Sequence, residues 1–169
     1  NSLMLQAGRN VADVAYFYGE EAPLTAIYGD KVIADAPAAH AYDFVNANAL
    51  SDALSNDGAE VVSSGGARYR AIYLGGTSRK MTLPTLQRFA QLVEGGATLI
   101  GKAPEGNPSL AGDAAAFQAL VAKLWPGGAD ASVGKGRVIA SADINAALAS
   151  SGVAPDFRTT GGSAGADIP

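Results

Sequence analysis

At 169 residues, 48% of them hydrophobic and 17% charged, the chain is long enough to bury a self-supporting core without a disulfide or metal staple. A net charge of −4 and a pI of about 4.8 exclude the basic stripe that nucleic acid requires, and no apolar run approaches the roughly 20 residues that cross a bilayer. Cysteine is absent and histidine occurs once, at His40, so thiolate chemistry is excluded and a zinc site or a Ser-His-Asp triad has one imidazole to draw on.

Asn1 opens the chain without an initiator Met, a basic segment or an apolar signal core. This predicts a piece of a longer protein, with residues 1–10 finishing an upstream segment. The run 11–18, VADVAYFY, is β-branched and aromatic and predicts the first strand, ended by Gly19. From there to Ala41 runs a long connection rich in Ala, Asp and Pro, a length that in a compact domain is functional or is ordered by a neighbour. Residues 42–50, YDFVNANAL, lead into a helix whose shared face is Val45, Ala49, Leu50, Ala53 and Leu54. Asn46 or Asn48 caps it and Asn56-Asp57-Gly58 stops it. Residues 59–63 predict the second strand, and Ser64-Gly65-Gly66 a turn.

The stretch 68–102, RYRAIYLGGTSRKMTLPTLQRFAQLVEGGATLIGK, sets the fold class. Two apolar runs, 69–74 and 97–100, predict strands buried on both faces. Between them Thr82 is placed as N-cap and Pro84 in the first turn. Leu83, Leu86, Phe89, Ala90 and Val93 give one apolar stripe, and Gly95 ends the helix. Strand, crossover helix and strand make a βαβ unit with parallel neighbours. Beyond a loop punctuated by Pro and Gly, Asp113 caps a helix carrying Phe117, Leu120, Val121 and Leu124, which Pro126-Gly127-Gly128 breaks. Residues 136–140, GRVIA, predict the last strand, and Ser141 opens a short helix through Ile144 and Leu148 that ends at Gly152. Residues 155–169 are polar and rich in glycine, which predicts a linker to a following domain and bounds the α/β domain at 11–154.

Strands and helices in alternation predict an α/β three-layer sandwich around a mainly parallel five-stranded sheet, in flavodoxin-like order 2-1-3-4-5. Such sheets bind ligands at the carboxyl ends of their strands, where the order reverses. The candidate binding residues of that crevice are Tyr18, Glu20, Glu21, Asp43, Asn46 and Thr77; no catalytic residue, metal ligand set or cofactor is assigned.

Three motifs have plainer explanations than chemistry. Gly96 to Lys102 has the spacing of a phosphate loop, but Ala103 replaces its Ser or Thr, and the four intervening residues are the apolar run itself. Gly75-Gly76-Thr77-Ser78 follows a strand, where a nucleophile elbow would stand, yet its one candidate base, His40, lies in an Ala-rich loop with no assignable partner. Asp13, Glu20, Glu21 and Asp43 could supply a carboxylate pair or a calcium site, but their spacing matches no ligand pattern and solvated loop charges are the default.

The phrases QAGRNVADVAYFYGEEAP, YDFVNANAL, RYRAIYLGGTSRKMTLPTLQRFAQLVEGGATLIGKAPEGNPSL, PDF and ADIP resemble, in order and over nearly the whole chain, a region of the α-L-rhamnosidases of glycoside hydrolase family 106. The resemblance implies a domain after the catalytic barrel, with a fold similar to class I glutamine amidotransferases and to the trimerisation domain of family 42 β-galactosidases. It places the two catalytic carboxylates in the barrel and implies a bacterial parent, periplasmic or extracellular. Amidotransferase relatives use a Cys at the elbow, where this chain has Gly75-Gly76-Thr77. The expected function is an accessory domain, structural or oligomerising, with the parent's barrel or a second copy as partner. The alternative is a small-ligand module or minor hydrolase using the crevice. Leu3, Met4, Leu5, Leu24, Ile27 and Tyr28 fall outside the periodic elements and are expected to form an exposed apolar patch against the barrel.

Overall fold

A six-stranded sheet forms the spine of the computed structural model, which describes residues 8, 10–21, 33–109 and 112–155. Its strands are β1 (Val14–Phe17), β2 (Tyr42–Val45), β6 (Ala71–Leu74), β7 (Thr98–Ile100), β8 (Ala131–Val133) and β9 (Gly136–Ile139), in spatial order β2-β1-β6-β7-β9-β8. The first five in that order are mutually parallel, and β8 turns back antiparallel on β9. A second, three-stranded antiparallel sheet joins β3 (Leu54–Asp57), β4 (Glu60–Ser63) and β5 (Arg68–Tyr69). The helices are α1 (Ala47–Asp52), α2 (Leu83–Gly95), α3 (Ala114–Leu124) and α4 (Ile144–Ser150).

The two-residue period of a strand explains the layers. Ala15, Phe17, Ile72, Leu74, Leu99 and Val138 point to one face and pack with Leu50, Leu86, Phe89, Phe117 and Leu124 of the helices and with Val61 of the small sheet. Val14, Tyr16, Ala71, Tyr73 and Ile100 point to the other and pack with Ile144, Ala147 and Leu148 of α4. Both faces are therefore covered, and β1, β6 and β7 carry no exposed position.

Helix α2 follows its apolar stripe: Leu86, Phe89, Ala90 and Val93 are buried, and the Phe89 ring meets Phe17 edge-on at 5.1 Å between centroids. Its C-cap is Gly96, one residue beyond the expected Gly95, at φ +133°. Asp113 caps α3 as expected, accepting from the N–H groups of Ala115 and Ala116. Trp125, the single tryptophan, is buried after α3 and donates its indole N–H to the Gly101 carbonyl at 2.8 Å. Residues 98–100 are strand, so the phosphate-loop spacing of Gly96 to Lys102 arises from a helix-ending glycine pair followed by β7.

Several expectations need correction. The main sheet has six strands rather than five, because β8 adds an antiparallel edge. Residues 59–63 belong to the small sheet, and β1's outer parallel neighbour is instead Tyr42–Val45. The helix after it is short, and Leu54–Asp57, expected to finish and stop that helix, are a strand. Arg68–Tyr69 pair with β4 and leave β6 to start at Ala71. Asp143 rather than Ser141 caps the last helix. The expected upstream segment, linker, and apolar patch of Leu3, Met4, Leu5, Leu24, Ile27 and Tyr28 lie outside the described residues, apart from positions 8, 10 and 155.

Candidate functional site

Strand β6 ends at Leu74, and the chain turns through Gly75-Gly76-Thr77-Ser78 at the carboxyl end of the sheet. The turn is sewn to β1: the Gly75 N–H donates to the Phe17 carbonyl at 3.1 Å and the Thr77 N–H to the Tyr18 carbonyl at 2.7 Å. Gly76 has φ +54°, and a Cβ there would lie 2.6 Å from the Tyr18 ring and 2.6 Å from its carbonyl oxygen. Only glycine fits.

Asp35 closes the turn from the connection between β1 and β2. Its carboxylate accepts from the Tyr16 hydroxyl at 2.5 Å and from the Gly76 N–H at 2.9 Å. The Tyr73 hydroxyl donates to the Ala142 carbonyl at 3.1 Å and stands 3.5 Å from the same carboxylate. Burial, then the bond to Asp35 and its charge, hold the Tyr16 phenol far above the ordinary tyrosine range. Burial and the Asp35 charge push Tyr73 up to about 12. In front of this cluster opens a pocket of about 230 Å³, rimmed by Ser78, Arg79 and Lys102.

The six candidate residues take different places. Tyr18 stacks on Tyr16 at 6.2 Å between centroids, and Thr77 donates both its N–H and its hydroxyl to the Tyr18 carbonyl, so these two meet. Glu20 reaches the start of α2, where its carboxylate accepts from the Thr82 N–H and from the hydroxyls of Thr82 and Thr85, at 2.6 to 3.0 Å. It supplies from a distance the cap expected of the Thr82 side chain, in a place where negative charge also suits the helix dipole. Glu20 is thus a clasp rather than a solvated loop charge. Glu21 pairs with Lys80 at 3.7 Å on the surface. Asp43 accepts from Asn10 and from Tyr69, and Asn46 caps α1 through the Ala49 N–H. Burial and the Asp43 bond push Tyr69 up to about 12.

His40, for which the sequence suggests no partner, has one. Its Nδ1 lies 2.8 Å from the carboxylate of buried Asp13, and Arg70 Nε approaches the same carboxylate at 3.4 Å. Asp13 precedes β1, so this pair stands at the amino end of the sheet, opposite the glycine turn. Among the described residues no three His, Cys, Asp or Glu side chains gather to hold a metal ion, and no helix is long and apolar enough to cross a membrane.

Asp35 is the functional candidate that sequence reasoning misses; Ser78 and Lys102 are visible in the sequence only as the ends of the elbow-like and phosphate-loop-like motifs. Asp35 meets Gly76 across 41 positions, inside a stretch with no periodicity to orient it.

The molecule is thus an α/β domain with a mostly parallel sheet and a small pocket at its strand ends. A family model described as alpha-L-rhamnosidase, of glycoside hydrolase family 106, matches residues 1–169, and the chain belongs to that family. It is similar to the structure of a rhamnosidase from Novosphingobium sp. PP1Y, with 60% identity and a TM-score of 0.92 over 99% of this chain and 16% of that one. It is also 34% identical over 110 residues to a Formosa agariphila protein provisionally named a beta-glucuronidase, covering 65% of this chain and 9% of that protein. The chain therefore spans less than a fifth of the length of either relative.

Proposed function

We propose that the chain is an accessory domain of a glycoside hydrolase acting on α-L-rhamnosides, with no catalytic residue of its own. On this reading its sheet is flavodoxin-like and its architecture is similar to that of the class I glutamine amidotransferases. The observation that supports it best is the Gly75-Gly76 turn. In a hydrolase elbow a nucleophile side chain projects from this sharp turn after the strand. Here Tyr18 fills the space such a side chain would need at Gly76, and Tyr16 fills it at Gly75, where a Cβ would lie 2.3 Å from the phenol oxygen.

The carboxylates support the same reading. Glu20, Asp13, Asp35 and Asp43 each accept hydrogen bonds from the domain itself, so none of these four stands free for the paired role that glycosidase carboxylates play. The catalytic barrel of a longer parent chain is the proposed partner, self-association is the second, and the parent is proposed to work in the periplasm or outside the cell. The test is an assay of the purified chain on para-nitrophenyl α-L-rhamnoside. Release at the buffer rate is expected. Turnover that disappears in Glu20→Gln or Glu21→Gln would overturn the proposal.

A further inference from the structure

We infer that the pocket at the carboxyl ends of β6 and β7 binds a small oxyanion-bearing molecule through Ser78 and Lys102. Most polar groups in this pocket are already occupied. Asp35 accepts from Tyr16 and Gly76, Tyr73 donates to Ala142, and Arg79 pairs with Glu105. Ser78 and Lys102 remain. Neither side chain has a hydrogen-bond or ionic partner among the described residues.

Ser78 is 5% exposed, and no fully occluded side-chain polar atom among the described residues lacks a partner. Its unpartnered hydroxyl therefore retains a little access, and the surface it lines is this pocket. A hydroxyl so placed has given up most of its water and gained nothing for it, a deficit that a ligand acceptor would make good. Lys102, at the rim, is a pure donor with a positive charge.

The chemistry selects an anion. Ser78 and Lys102 both offer protons, and Lys102 brings a positive charge with no carboxylate paired to it among the described residues, whereas the rim's Arg79 is balanced by Glu105. Asp35, the one acid among the lining residues, faces Tyr16 and Gly76 with both of its oxygens. At about 230 Å³ the pocket lies below the roughly 300–1,000 Å³ of drug-sized sites, which suits a carboxylate or phosphate on a small metabolite. Its position at parallel strand ends is where α/β sheets hold ligands. This inference stands apart from the rhamnosidase proposal, since an accessory domain with or without hydrolytic activity can carry such a site.

The test titrates the 15N-labelled 169-residue chain with sodium phosphate, and separately with sodium acetate, at ionic strength fixed by chloride. At least one anion is expected to shift the amides of Gly75, Gly76, Ser78 and Lys102 along a saturable curve. Lys102→Gln should weaken that binding about tenfold, and Lys102→Arg should largely keep it. Lys102 is exposed, so both variants should retain a dispersed spectrum even if Ser78→Ala does not fold. Shifts by either anion that are linear and spread over the chain, with none saturating, would overturn the site. So would equal affinity in Lys102→Gln and the unaltered chain.

Discussion

Tyr18 stands where a side chain on Gly76 would have to be, with both its ring and its carbonyl oxygen 2.6 Å from the Cβ position. The ring could swing aside, but the carbonyl is held by two donors from Thr77. A residue at φ +54° also meets the steric penalty that glycine escapes. Gly76→Ser should therefore lower stability by about 2–4 kcal/mol, read as a shift in urea midpoint. A variant within about 0.5 kcal/mol of the parent would show that the turn can relax, and would weaken the case against an elbow nucleophile.

Glu20 should behave as a structural residue. Glu20→Ala removes an acceptor shared by three donors at the start of α2 and should cost about 1–3 kcal/mol. Glu21→Ala, which removes an exposed ion pair, should cost less than about 1 kcal/mol. Equal effects in the two variants would argue against the clasp.

Alkaline pH should unfold the domain through its buried tyrosines. Tyr69 and Tyr73 are pushed up to about 12, and Tyr16 higher, whereas an unfolded tyrosine titrates near 10. The folded state thus binds more protons above about pH 10, so stability is intact below that and is lost as the pH rises through the folded values. Each such tyrosine should add a slope of about 1.4 kcal/mol per pH unit within its window. Urea midpoints measured between about pH 9 and pH 11 should fall, and Tyr73→Phe should flatten the decline. A slope unchanged by Tyr69→Phe and Tyr73→Phe would sink the explanation.

Asp13 is expected to be costlier to remove than Glu20 or Glu21. It is buried between His40 and Arg70, and its main chain also accepts from Arg70 and donates to the Ala41 carbonyl. Asp13→Ala leaves the largely buried His40 ring without its partner and should cost about 3–5 kcal/mol. Arg70→Ala, whose side chain is half in water, should cost less than about 1 kcal/mol. Thermal melts of the two variants, compared at one pH, decide it.

The interior of the sheet was legible because a parallel strand buried on both faces needs an unbroken apolar run. Val14–Phe17 and Ala71–Leu74 satisfy that at every position. Edge strands are written differently. Tyr42–Val45 keeps an aspartate and an exposed phenylalanine, and Ala131–Val133 is three residues long, so neither stands out from a loop. Leu54–Asp57, Leu-Ser-Asn-Asp, is a strand by pairing with Glu60–Ser63 and against its own propensities. For the site, glycine turn and strand end were visible locally. Asp35 was not, because its role depends on contacts with Tyr16 and Gly76 that only the fold brings about.

The indole of Trp125 gives the molecule its own optical gauge. With no other tryptophan in the chain, its emission reports one place: a dry cage where the ring N–H is tied to Gly101, one peptide from Lys102. Unfolding should move that emission to the red as the ring meets water, so each urea midpoint can be followed without a label. An oxyanion settling on Lys102 should change the intensity with little shift in colour, which separates occupancy of the pocket from loss of the fold in a single spectrum.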